Sequence, residues 1–310
     1  MSATTAPTPG KSGGMSDTRK VLWGIFAFYI AGLILLGVIF GLSGHKNTAF
    51  QIQNEFKLIN WVELGVLSIN RAVVYLFLAT ILTTGTMLWI SGRMRARPNK
   101  VQTAVEALYA LMRGNITGGN MPDSLARTWF PFLGALFLFL WWSNILGYLP
   151  LPTNSEQKFA LFGVHIPSFA LYAATANISV PLVLAVVVFV VFNVVGIRAQ
   201  GPVGYVKSLV PAGVKGPILL LIFPLEVVST FMRLISLTVR LFANILAGHM
   251  IILFMAGGLS VILGLSFLGW FTMPFAVLVY LFELGLVATL QAFIFATLAA
   301  IYIGGSVTHH

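Results

Sequence analysis

The chain has 310 residues, of which 58% are hydrophobic and only 8% charged, with a formal net charge of +10 and no cysteine. Soluble domains carry about 25% charged residues, so a soluble globular enzyme is excluded, and without a thiol neither disulfides nor cysteine chemistry enters. The surplus of positive charge does not point to nucleic acid, because the Lys and Arg residues sit in the connections between long apolar runs.

Residues 1–20 open on a Ser-, Thr-, Gly- and Pro-rich stretch and read as a disordered cytoplasmic tail. Arg19 and Lys20 then precede the apolar run 21–42. A signal peptide also begins on positive charge, but its core is usually about 7–15 residues. The longer run here favours a retained transmembrane helix over a cleaved signal segment. Residues 43–71 follow as an external loop, and the runs 72–92, 129–150 and 178–197 come next. Each approaches the ~20 residues that a helix needs to cross about 30 Å of hydrocarbon.

The connection 93–128 holds Arg93, Arg95, Arg97, Lys100, Arg113 and Arg127 against Glu106 and Asp123. Within it, "PNKVQTAVEALYALMRGNIT" at 98–117 places Val101, Val105, Leu108 and Met112 at helical spacing. It reads as an amphipathic helix on the cytoplasmic surface. The connection 198–216 has Arg198, Lys207 and Lys215 and no acid. The positive-inside rule puts both connections in the cytoplasm, and the two spans between them make the assignments agree. The run 129–150 ends in "SNILGYLPLP", whose prolines stop the helix at the outer face.

Two last apolar regions, 217–256 and 259–303, are longer. About 40 residues give roughly 60 Å of helix, twice the hydrocarbon thickness, so each is broken or steeply tilted. The expected fold is therefore all-α: a polytopic membrane protein of about six transmembrane helices, both ends inside. The duplicated halves common in transporters are not visible.

One stretch of the first long region, "SLTVRLFANILAGH" from Ser236 to His249, keeps an arginine, an asparagine and a histidine inside an apolar run. An arginine at the bilayer centre costs about 2.5–3.5 kcal/mol on insertion scales, so such groups usually mark a pathway or a site. At about 100° per residue, Asn244, Ser236, Arg233, Ser229 and Glu226 all fall within roughly 40° of Arg240. The stripe from Glu226 to Asn244 is about 27 Å long, close to the thickness of the hydrocarbon. Mutual pairing and snorkelling account for Glu226 and Arg233 near one end. They do not account for Arg240, which has no acid within a turn on its own helix.

His249 falls on the opposite face, where a histidine serves as a structural hydrogen-bonder or, beside a carboxylate, as a proton carrier. The last region supplies that carboxylate. Glu283, in "FELGLVATLQAFIF", is the only acid in the last 80 residues and is followed by Gln291. Burial and a cationic neighbour move a carboxylate in opposite directions, so a Glu–His pair in a wet cleft can exchange protons near neutral pH.

These residues carry a family resemblance. "SLTVRLFANILAGH" followed by "LQAFIFATLAAIYI" resembles subunit a of the F-type ATP synthase, the stator subunit that faces the rotating c-ring. "RMRARPNKVQTAVEAL" at 93–108, "SNILGYLP" at 143–150 and "PLE" at 224–226 stand in the order that family shows, so the resemblance covers roughly residues 72–305. It implies that Arg240 is the essential arginine opposite the c-ring carboxylates. It implies an outer half-channel around Asn244, His249, Glu283 and Gln291. A cytoplasmic half-channel would run past Glu226, Ser229, Arg233 and Ser236. The last two helices would form a strongly tilted hairpin against the ring.

The implied partners are the c-ring, the b subunits of the peripheral stalk, the F1 sector indirectly, and membrane lipid, with no nucleic acid, metal or cofactor. By the same resemblance the chain is no enzyme by itself but one subunit of a proton-transporting complex in a bacterial plasma or inner membrane.

Two features depart from the family pattern. The run 21–42 has no counterpart among the common five spans. Glu283 and Gln291 are also eight residues apart, where the family usually has seven. On a regular helix eight residues leave the two side chains about 80° apart and seven only about 20°. A one-residue π-bulge within 283–291 would absorb the difference and bring Glu283 towards His249. The rival readings are a proton-coupled secondary transporter using Arg240, His249 and Glu283, and an insertase with a hydrophilic groove.

Overall fold

The computed structural model describes residues 17–40, 60–64, 67–93, 113–118, 120–151, 158–161, 164–167, 171–209, 218–258 and 266–307, with the separate positions 102, 103, 106, 109 and 110. Most of the expected tail and of the loop 43–71, and half of the amphipathic segment 98–117, lie outside them. Of that segment, positions 102, 103, 106, 109 and 110 are helical, and Arg113–Thr117 forms a π-turn. The chain divides into two units, Gln51–Phe254 with Phe275–His310, and Met1–Phe50 with Met255–Pro274.

The first unit is built on long helices. These are α2 (Arg71–Arg93), α3 (Asp123–Tyr148), α4 (Ser179–Ser208), α5 (Leu219–Leu253) and α7 (Ala288–Gly305). The end of α6 (Ser266–Phe282) and a π-turn, Glu283–Val287, lead into α7 without a break. Five helical stretches are long and apolar enough to cross a membrane: 71–92, 123–148, 179–208, 219–257 and 268–305. A further helix, α1 (Asp17–Phe40), carries the apolar run expected at 21–42.

Asparagines start two of the helices. The Asn70 side chain accepts the Val73 N–H at 3.1 Å and caps α2, and Asn177 accepts the Ser179 N–H at 3.0 Å ahead of α4. At the other end of α4, Gly201 adopts φ +72° and Pro202 follows, so the chain bends there and a short helical piece runs on to Ser208. Only glycine takes that conformation without cost, and proline then suits the first turn of the new piece.

Two short antiparallel hairpins add to the all-α expectation. β1 (Asn60–Leu64) pairs with β2 (Leu67–Asn70), with Leu64 opposite Leu67, and β3 (Lys158–Leu161) pairs with β4 (Val164–Pro167). Each connection is two residues long and contains a glycine, the composition that closes tight hairpins.

The core lies between α3 and α7. Leu133, Leu136, Phe137 and Leu140 of α3 pack with Ala292, Phe295, Ala296, Ala299, Ala300 and Ile303 of α7. The alanine stripe on α7 lets the backbones approach closely, which is how helices associate where lipid removes the hydrophobic drive between them. The same core takes Leu237, Leu241 and Ile245 from α5. Their spacing fixes which face of α5 turns inward, and hence which turns out.

In the second unit, α1 meets the start of α6. The Tyr29 hydroxyl donates to the carbonyl oxygens of Trp270 at 2.6 Å and Phe271 at 2.9 Å. Pro274 stands four residues after Trp270 and has no N–H to offer that carbonyl. Tyr29 supplies the missing donor.

Candidate functional site

The inward face of α5 is apolar apart from Thr230, Thr238 and His249, and its outward face carries the polar stripe. Ser229, Arg233, Ser236, Arg240 and Asn244 are exposed, and Glu226 is half-buried. The same stretch of α5 also exposes Met232, Ile235 and Val239, side chains that suit lipid or another apolar surface. Among the described residues no hydrogen bond or ion pair engages the Arg240 guanidinium. A permanent cation thus stands on the exposed face of α5, with a group of polar residues towards either end of the helix.

The first group lies on the Asn244 side. Asn244 Nδ2 donates to Gln291 Oε1 at 3.1 Å, tying α5 to α7. Gln291, His249 and Glu283 are buried. Glu283 begins the π-turn, and a Cβ placed on Gly248 would collide with its carboxylate. The π-turn foreseen between Glu283 and Gln291 is therefore present, and it sets Glu283 against α5 beside His249.

The expected direct approach of Glu283 to His249 takes another form. The Glu283 carboxylate accepts the Tyr148 hydroxyl at 2.9 Å, and the Tyr148 ring lies 4.4 Å from the imidazole, centre to centre. His249 turns its two nitrogens to backbone carbonyls, Nε2 to Gly147 at 2.9 Å and Nδ1 to Ile245 at 3.0 Å. A neutral ring can donate to one of them only, so both are served at once when both nitrogens carry a proton.

The second group lies on the Glu226 side, around a cleft of about 310 Å³. Glu226, Thr230 and Arg233 of α5 line it with Tyr205, Ser208 and Ser306. Arg233 also lies 5.4 Å from the centre of the Tyr302 ring, a cation–π contact. Ser229 and Ser236 belong to the exposed stripe but are not part of this lining.

Several polar residues of these groups escaped the sequence reading. Tyr205 donates to Asn193 at 2.9 Å, and Asn144 bridges the Ala288 carbonyl, at 3.3 Å, and the Thr175 hydroxyl, at 3.1 Å. Tyr148 belongs with them. Asn144 and Tyr148 were visible as polar interruptions of an apolar run, but only the fold shows what they touch. Away from both groups, the Arg71 guanidinium lies 4.5 Å from the centre of the Tyr172 ring. Burial pushes the Tyr172 hydroxyl up to about 12 despite that cation. Among the described residues no cluster of three or more His, Asp or Glu side chains could hold a metal ion.

Long apolar helices with ionisable groups held between and upon them define a polytopic membrane protein. Residues 73–304 match the family described as ATP synthase A chain. The chain is 37% identical to the ATP synthase subunit a of Rubrobacter xylanophilus, over 76% of this chain and 83% of that one. It is 33% identical to the subunit a of Frankia alni, over 82% and 84% of the two chains. It is likewise 33% identical to that of Anaeromyxobacter dehalogenans, over 78% of this chain but only 58% of the longer relative. The chain belongs to the ATP synthase A chain family.

Proposed function

We propose that this chain is the proton-conducting stator subunit of an F-type ATP synthase, coupling proton flow across the membrane to rotation of a c-ring. The observation that carries the reading is the position of Arg240: exposed midway along a long apolar helix, without a partner among the described residues. Such a charge is costly in lipid, and a neighbouring ring that presents carboxylates at that height would offset the cost.

The mechanism follows from the two polar groups. A c-ring carboxylate turns through lipid only when protonated. Opposite Arg240 the ionised form is stabilised, and the proton leaves into one half-channel. The carboxylate takes up another from the second half-channel before it re-enters lipid. Asn244, His249, Glu283 and Gln291 form the half-channel open to the outside, and Glu226, Ser229, Arg233 and Ser236 the one leading to the cytoplasm. Each proton that crosses at 100 mV delivers about 2.3 kcal/mol.

Arginine suits the central place because it stays charged at any accessible pH, whereas burial can neutralise a lysine. As a fixed cation between the two paths it also opposes direct leakage. The b subunits of the peripheral stalk would hold the subunit still, with the F1 sector reached only through them. The host membrane would be a bacterial plasma or inner membrane, with both termini and the connections 93–128 and 198–216 in the cytoplasm. The apolar helix α1 makes the sixth span, and residues 72–305 form the domain proper.

Arg240→Ala is expected to abolish ATP synthesis in assembled complexes, and Arg240→Lys to leave almost none. Near-normal synthesis in either would refute the assignment.

A further inference from the structure

The last residue of α3, Tyr148, lies in the stretch "SNILGYLP" but is assigned no role by the family resemblance, yet it touches both ionisable groups of the Asn244-side cluster. Its buried hydroxyl donates to Glu283 Oε2 at 2.9 Å. Its ring lies 4.4 Å from that of His249, at 34°. Both nitrogens of His249 are directed to carbonyl oxygens of Gly147 and Ile245. Tyr148 is therefore the one described side chain that hydrogen-bonds the Glu283 carboxylate.

Tyr148 is itself held in place. The Tyr280 hydroxyl donates to its carbonyl oxygen at 2.7 Å. Two residues earlier on the same face of α3 grip the chain just after the π-turn. Trp141 Nε1 donates to Thr289 Oγ1 at 3.1 Å, and Asn144 Nδ2 to the Ala288 carbonyl at 3.3 Å. One face of α3, at i, i+3 and i+7, thus fastens the stretch from Glu283 to Thr289 at three points. The third point is the carboxylate.

We infer that Tyr148 is a positioning residue of the outer proton path: its hydroxyl holds the Glu283 carboxylate where the π-turn sets it against Gly248, and its ring links that carboxylate to His249 in place of a direct ion pair. The inference rests on the proton-path reading above. A phenol fits the task because it is rigid, packs as an apolar disc and ends in a group that both donates and accepts. Glu283 meets Tyr148 on α3, and the Tyr148 ring in turn meets the titratable groups His249 on α5 and Tyr280 on α6.

Tyr148→Phe keeps the ring and its stacking and removes only the hydroxyl. In intact complexes reconstituted into vesicles, it is expected to lower ATP-driven proton pumping per assembled complex roughly tenfold, the scale of a lost hydrogen bond to a charged group. The pH dependence of passive proton conduction should move with it, which a packing defect alone would not cause. Glu283→Asp draws the carboxylate back by one methylene and probes the same bond from the other side, so it is expected to lose a similar factor. The double variant should be no slower than either single one, because both remove one shared interaction.

Wild-type pumping with an unmoved pH profile in Tyr148→Phe overturns the inference, and so do losses that multiply in the double variant. Should Tyr148→Phe complexes fail to assemble, wild-type pumping by Glu283→Asp overturns it instead. Wild-type pumping by Glu283→Gln would remove the proton-path reading itself, so the two failures are told apart.

Discussion

Gly248 shows how much one missing side chain can decide. Alanine is the better helix former by about 1 kcal/mol, so on local grounds Gly248→Ala should stabilise α5. In the fold, a Cβ there would collide with the Glu283 carboxylate, and either the carboxylate or the helix must move. Gly248→Ala is therefore expected to reduce ATP-driven pumping roughly tenfold while the complex still assembles. Unchanged pumping would mean that the carboxylate does not rest on Gly248. At this scale the sequence was legible wherever a polar residue broke an apolar run. Arg240, Asn244 and Glu283 announced themselves, because lipid makes such residues expensive. Gly248 and Tyr148 did not, because glycine is common in membrane helices and tyrosine is common at their ends. Their importance lies in contacts made across 35 and 135 residues of sequence.

The π-turn at Glu283–Val287 could be anticipated from the family resemblance, because the eight-residue step from Glu283 to Gln291 exceeds the seven usual there and does not return to one face of a regular helix. It makes a prediction that a regular helix would reverse. Deleting Gly285 shortens the step between the two side chains to seven positions, about 20° apart on an α-helix, and should leave pumping within a few-fold of wild type. Inserting one alanine after Gly285 lengthens the step to nine positions and should abolish pumping. A tolerated insertion beside an inactive deletion would contradict the role of the turn. Other elements were less legible. The bend of α4 at Gly201 is written in a Gly-Pro pair, but the two hairpins were not expected, because strands of four or five residues are too short to show a periodicity.

For the molecule as a whole, long apolar runs yielded the class, an all-α polytopic membrane protein, before any contact was known; of the about six spans expected, five described helices are long and apolar enough to cross a membrane. What they could not give is the pairing of helices, since in lipid every apolar face looks alike. The α3–α7 core depends on a stripe of alanines that hydropathy does not separate from its neighbours. The two half-channels are testable at this scale because the chain has no cysteine. Single cysteines at Glu226 and Ser236 should react with membrane-impermeant thiol reagents from the cytoplasmic side, and those at Asn244 and Gln291 from the outside. Labelling of all four from one side would contradict two offset paths.

The bond from Tyr29 to the Trp270 carbonyl spans 241 residues, which makes it a matter of timing during synthesis. The donor leaves the ribosome well before the acceptor, so α1 must wait for this partner while the residues between them are made. Removal of α1 by a signal peptidase in that interval would leave the proline-freed carbonyl of Trp270 without this donor. Of the described helices, α1 is in this sense made before the others and among the last to meet its partner.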